Sequence, residues 1–200
     1  AERAPDDPLP IYEQMVAAMR NIPPHVVPRF FAIPDGSGGY AATGDVGWMN
    51  VPENAHLAQM DLKVRPEYRR RGYATALART LAAEAKAAGR RLLIAGTNDR
   101  VPAGAAFLER LGGQPGLASH TNQLRIEDLD REQVRAWCAD TAPGYTLGFW
   151  EGPYPEERMA EIVGLAEIVN TVPFGDLEIE DMKPTAEQIR AEEKSLFARG

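Results

Sequence analysis

Cysteine is nearly missing from this 200-residue chain, Cys138 standing alone. That excludes an internal disulfide framework and favours a reducing compartment. Cys138 itself reads as a small buried hydrophobe on a helix. Histidine is almost as scarce. His25, His56 and His120 lie far apart and show no metal-ligand spacing. Positive charge is also in deficit, with 22 Lys and Arg against 29 Asp and Glu and a net charge of −7. General binding to nucleic acid or to a membrane surface is disfavoured. No apolar run approaches the length of a membrane span. The first ten residues are acidic and proline-rich, without the basic-then-apolar order of a signal peptide. There is no phosphate loop ending in Lys-Ser/Thr and no Gly-x-Ser-x-Gly elbow. What remains is an ordinary globular composition, 44% hydrophobic and 26% charged, expected to be cytoplasmic.

Against this acidic background, Arg65, Arg69, Arg70 and Arg71 fall within seven positions. They sit in a loop that joins an apolar strand, residues 57–64, to an alanine-rich helix, residues 75–88. In that helix Leu77, Leu81 and Ala85 repeat at i+4, and Gly89 marks the stop. Residues 92–95 (Leu-Leu-Ile-Ala) form a continuous apolar strand, as in a parallel sheet. Strand, helix and strand predict one right-handed crossover, with the basic loop at its carboxyl edge, where open α/β sheets bind ligands. A helix N-terminus offers unpaired N–H groups and the positive end of a dipole. Gly72 allows close backbone approach and Ala74 keeps the first turn open. The loop is a candidate pyrophosphate cradle.

The run Arg69-Arg70-Arg71-Gly72-Tyr73-Ala74 resembles the cofactor loop of the GNAT superfamily of acyl-CoA-dependent acetyltransferases, Arg/Gln-x-x-Gly-x-Gly/Ala. The preceding Val64-x-Pro66-x-Tyr68 strengthens the likeness, which covers about residues 11–126. It implies an α/β fold: a mixed, mostly antiparallel twisted sheet with a central parallel crossover and helices on both faces. It implies acetyl-CoA as cosubstrate and no metal. The backbone of Leu62, Lys63 and Val64 would pair with the pantetheine arm. Arg69, Arg70, Arg71, Gly72, Tyr73, Ala74 and Thr75 would hold the pyrophosphate. Transfer would be to a primary amine of a small molecule or peptide. Asp61 is the candidate base, with Glu53 and His56 just upstream, and strand alternation puts Asp61 and Gln59 on one face. One element departs from the pattern. The helix over residues 103–111 keeps Leu111-Gly112, but Leu108 stands where many relatives carry a tyrosine proposed as general acid. A domain that binds CoA without catalysis is therefore the alternative. An α/β module whose basic loop binds another phosphate ligand is a third reading.

Further elements follow from pattern. Residues 11–20 read as a helix presenting Ile11, Met15, Ala18 and Met19. Residues 29–33 and 40–49 read as hairpin strands around a Gly/Ser turn. Residues 121–126 read as a closing strand, 130–138 as a helix, 145–150 as a strand and 155–170 as a helix. Residues 185–198 read as a helix opened by a capping box, Thr185-x-x-Gln188. Trp48, Trp137 and Trp150 read as packing residues. Asp7, Pro10, Glu13, Gln14 and Met15 match Asp181, Pro184, Glu187, Gln188 and Ile189 at a constant offset of 174. This reads as a duplication. The expected organisation is residues 1–126 as an acyl-CoA domain lacking its usual first strand and helix, 127–144 as a linker helix, and 145–200 as the start of a second repeat. The chain then resembles two-repeat GNAT proteins cut at both ends. Alternatively, residues 145–150 complete the sheet, in their own molecule or, as a homodimer, in a partner.

Overall fold

The computed structural model describes residues 10–120, 122–139, 143–146 and 148–199. Among these residues the chain forms four strands and six α-helices in a mixed α/β arrangement. The order is α1 (Tyr12–Arg20), β1 (Val26–Pro34), β2 (Tyr40–Met49), β3 (Leu57–Val64), α2 (Tyr73–Ala87), β4 (Leu92–Ala95), α3 (Pro102–Arg110), α4 (Arg131–Ala139), α5 (Met159–Ala166) and α6 (Ala186–Phe197).

The sheet order is β1-β2-β3-β4. β1 pairs antiparallel with β2, β2 antiparallel with β3, and β3 parallel with β4. The β3-α2-β4 unit is the crossover expected from the sequence. Its core follows from strand alternation. Val46 and Ala58 point to one face of the sheet and Leu81 and Ala85 of α2 cover them, all four essentially sealed from solvent. Phe31, Trp48, Met60, Leu62 and Leu93 pack around this centre. Gly44 lies under α2, where a Cβ would stand only 3.2 Å from Leu81 Cδ1. The missing side chain lets α2 sit close to the sheet. Trp48 is a packing residue, as expected, with the Arg29 and Arg90 guanidiniums each 5.7 Å from its ring centroid.

A second cluster forms where α5 meets α6, burying Met159, Ile189 and Ser195. The capping box at Thr185 is present. Gln188 N donates to Thr185 Oγ1 at 3.2 Å, and Thr185 N donates to Gln188 Oε1 at 2.8 Å. This half is fastened to the sheet through the segment before α6. Asn54 N donates to Glu180 Oε2 and Glu180 N donates to Asn54 Oδ1, both at 2.8 Å. His56 Nε2 donates to the Glu178 carbonyl at 2.8 Å, and Arg91 pairs with Glu178 at 3.1 Å.

Several sequence-based expectations are corrected. No closing strand forms over residues 122–126, with Thr121 outside the described residues. Leu124 and Ile126 are exposed. Residues 145, 146 and 148–150 are not in a strand either, and Leu147 lies outside the described residues. Gly144 precedes that run and Gly148 interrupts it, and Tyr145 and Phe149 are exposed. The expected helix over 155–170 is α5 flanked by 3₁₀ turns, Glu156–Arg158 and Glu167–Thr171. β-Branched Ile168, Val169 and Thr171 favour that unwinding. In α1 only Ala18 of the predicted face is half-buried, together with Val16 and Ala17, while Ile11, Met15 and Met19 are exposed. Cys138 and Trp137 are exposed rather than packed, because α4 buries none of its residues.

Candidate active site

The register of β3 produces the central feature. Its β2 side is paired along most of the strand, from Gln59↔Gly47 to Val64↔Ala42. Its β4 side is paired only from Leu57↔Leu92 to Met60↔Ala95. β3 and β4 therefore part after Met60. Along Asp61 to Val64 the backbone on that side has no strand beside it, so it can receive an extended polar chain as a further strand would.

The open stretch runs into the basic loop. A 3₁₀ turn, Pro66–Tyr68, leads to Arg70 at φ +60° and Gly72 at φ +83°, both left-handed. Successive turns of this kind aim backbone N–H groups into one concavity, which suits an anion. Gly72 is the N-cap of α2 with no side-chain cap, and a Cβ there would meet nothing within 4 Å. The first α2 hydrogen bond runs from Ala76 N to the Gly72 carbonyl at 3.0 Å, so the amides of Tyr73, Ala74 and Thr75 have no intrahelical partner.

The four arginines divide by role. Arg65 is bound to Asp35 at 3.2 Å and Glu67 at 2.5 Å, which neutralises it within the protein. Arg69 Nε donates to the Val64 carbonyl at 3.3 Å and braces the loop on the strand end. Arg71 stacks over Tyr68, 5.2 Å from its centroid, opposite Arg65 at 5.4 Å. Arg70 is exposed and makes no hydrogen bond or ion pair among the described residues. Arg70 and Arg71 thus lie exposed on the loop, while Arg65 and Arg69 brace it from within the protein.

Asp35 anchors this corner. Its Oδ1 accepts from Ser37 N and Ser37 Oγ at 2.8 Å and from Gly39 N at 3.0 Å. These bonds, the Ser37 backbone one foremost, hold its carboxyl below the ordinary carboxylate value, and Arg65 adds to the effect. A depressed acid contributes stability that is present above its unfolded value and lost as pH falls through the folded one. Asp35→Asn is therefore expected to lower Tm at pH 7 and to converge on the wild type near pH 2. Thermal unfolding across that range checks it, and an equal loss at both pH values would contradict it.

The expected base, Asp61, sits on β3 beside the open stretch with Gln59, away from the α2 core. Lys63 Nζ is 2.6 Å from its Oδ2. The structure does not bring Glu53 or His56 to it. Glu53 lies in the β2–β3 connection, and His56 is held by Glu178 at the other end of β3. The residue missed from sequence is Asp45, directly across from Asp61 on β2. Burial, and secondarily the Asp61 charge, push its carboxyl above the ordinary value, with Lys63 opposing. Its signal was the hairpin register, which sequence alone leaves open. Leu108 is half-buried in α3 and carries no proton donor. Among the described residues no three His, Cys, Asp or Glu side chains are grouped to hold a metal, and no helix is long and apolar enough to cross a membrane.

One solved structure shares this fold, and others align more loosely. A tandem GNAT protein from the clavulanic acid biosynthesis pathway aligns with a TM-score of 0.64 at 21% identity, over 96% of this chain and 57% of its own. The chain thus spans little more than half the length of that protein. A putative acetyltransferase from Agrobacterium tumefaciens aligns with a TM-score of 0.46 at 20% identity, over 60% of this chain and 85% of its own. The AAC(6')-Iy protein, solved with a bisubstrate analogue, CoA-S-monomethyl-acetylneamine, gives 0.45 at 18% identity, over 62% and 86%. No curated protein matches the chain. The sequence model of the acetyltransferase (GNAT) family matches residues 10–112. That match covers more than half of the chain and contains the whole sheet, the basic loop and α2, and on it the chain belongs to the GNAT acetyltransferase family.

Proposed function

We propose that this protein transfers an acetyl group from acetyl-CoA to a primary amine of a small molecule or peptide. The observation that carries the reading is the continuity of the open edge of β3 with the left-handed Arg70–Gly72 loop at the start of α2. Leu62, Lys63 and Val64 pair their backbones with the pantetheine arm. The amides of Tyr73, Ala74 and Thr75, together with Arg69, Arg70, Arg71 and Gly72, enclose the pyrophosphate. Asp61 lies one residue before the pantetheine track, within reach of the thioester end. The chain supplies position and electrostatics, the terms worth most in acyl transfer.

The test is release of CoA thiol from acetyl-CoA in the presence of an aminoglycoside, spermidine and a lysine-containing peptide. Thiol release that requires one of these amines and yields the acetylated product supports the reading. Leu108, in place of a proton donor, favours a second one, a repeat that binds CoA without turnover. Saturable acetyl-CoA binding with no acetylated product would establish that alternative. The duplication proposal also stands. α5 and α6 would open a second repeat, and α6 beginning at Ala186, at the offset of 174 from the start of α1 at Tyr12, supports it.

A further inference from the structure

Asp45 occupies the middle of the sheet. It lies on β2 between Phe30 of β1 and Asp61 of β3, with all three side chains on the face away from α2. Phe30 is exposed. On the same strand and the same face its neighbours are Thr43 and Gly47, one small and one without a side chain. The carboxylate is half-buried, with an aromatic residue beside it on β1 and an Asp–Lys pair beside it on β3. Directly opposed residues of antiparallel strands have Cβ atoms about 5 Å apart, so the two carboxyls are close neighbours. They are not equivalent. Asp61 is engaged by Lys63 at 2.6 Å. Asp45 makes no hydrogen bond or ion pair among the described residues.

Resting on the acyl-transfer reading above, we propose that Asp45, rather than Asp61, accepts the proton of the incoming amine, with the Asp61–Lys63 pair fixing the field around it. Three features favour Asp45. A paired carboxylate must break a charge-assisted bond before it can take a proton, and Asp45 need not. A base works best when its proton affinity approaches the working pH, and burial beside Asp61 shifts Asp45 that way. The charges acting on it among the described residues are Asp61 and Lys63 of β3, and its other strand neighbours, Phe30 of β1 and Thr43 of β2, are uncharged. In the step, the acceptor R–NH3⁺ gives one proton to Asp45. The freed nitrogen bonds to the thioester carbonyl carbon. The C–S bond then breaks, its electron pair leaving with CoA thiolate. The second nitrogen proton passes through water to the thiolate, giving amide and CoA-SH, and Asp45 returns its proton to solvent.

The carboxyls can be titrated by side-chain 13C NMR in wild type, Asp45→Asn and Asp61→Asn. One aspartate is expected to titrate above the ordinary range, and its signal is expected to vanish in D45N only. Stability gives an independent readout. An acid with a raised folded value contributes stability that is full below its unfolded value and lost as pH rises through the folded one. D45N is thus expected to raise Tm at pH 7 and to match the wild type near pH 3. In transfer to the three amines named above, D45N should lower kcat/KM by about 100-fold or more. Acetyl-CoA affinity should not change, and D61N should cost less. An elevated carboxyl that survives in D45N, or transfer by D45N within twofold of wild type, would overturn the role of Asp45. So would acetyl-CoA binding with no transfer by the wild type. Failure of the wild type to bind acetyl-CoA would instead overturn the acyl-transfer reading.

Discussion

Gly72→Asp is expected to weaken CoA binding by at least about 100-fold, close to 3 kcal/mol. Two effects add. Gly72 has φ +83°, and a residue with a Cβ gives up about 1 kcal/mol there. The larger effect is charge. An aspartate at the N-cap places a carboxylate where the pyrophosphate is to sit, and fills the positive end of α2. The same dipole partly offsets the backbone strain, and a Cβ placed there meets nothing within 4 Å. The variant should therefore fold while losing its ligand. Thermal unfolding with and without CoA separates the two, because a ligand raises Tm only for the protein that binds it. A CoA-dependent rise in Gly72→Asp equal to that of wild type would refute the cradle.

The second large effect is on the core. Leu81→Ala should cost about 2–5 kcal/mol, a major part of the stability of a single domain. Leu81 has no exposed surface and packs against Val46, Ala58 and Ala85. It also fills the space that Gly44 leaves open. The cavity would have little means of collapse, because a strand floor cannot move without breaking the register on both sides of β2. Urea unfolding measures it through the midpoint at unchanged slope. A loss under about 1 kcal/mol would mean that α2 is not seated on the sheet as described. This helix carries the loop at its N-terminus, so its seating is also the alignment of the site.

The central crossover was legible because its signals are local. The bounds of β2, β3 and β4 agree with the sequence reading residue for residue, and α2 begins only two residues before the predicted start. Apolar runs between glycine and proline punctuation fix such elements without tertiary help. The site's loop was legible for the same reason, since Gly72 and the arginines adjoin the α2 start. Asp45 was not. Its meaning depends on which β3 residue faces it, and the connection over residues 50–56 hides that register. The divergence of β3 from β4 after Met60 is a property of two strands and has no signature in either. Nor did any pattern foretell that Glu178 and Glu180 would fasten on Asn54 and His56. Residues 122–126 and the described residues of 145–150 carry strand-like composition yet pair with no edge, and β propensity alone does not build a strand. The readings of Cys138 and Trp137 failed because burial of a helix face requires a partner, and α4 has none that seals it.

The most direct measurement is calorimetric titration of acetyl-CoA and of CoA into the protein, beside the Arg70→Glu/Gly72→Asp variant. Arg70 makes no ion pair among the described residues and Gly72 forms the turn, so the double change reverses the charge and closes the backbone at one place. The account predicts saturable binding of both ligands by the wild type, and loss of at least 100-fold in a variant that remains folded by circular dichroism. Equal binding by wild type and variant, or no binding by a folded wild type, would contradict it.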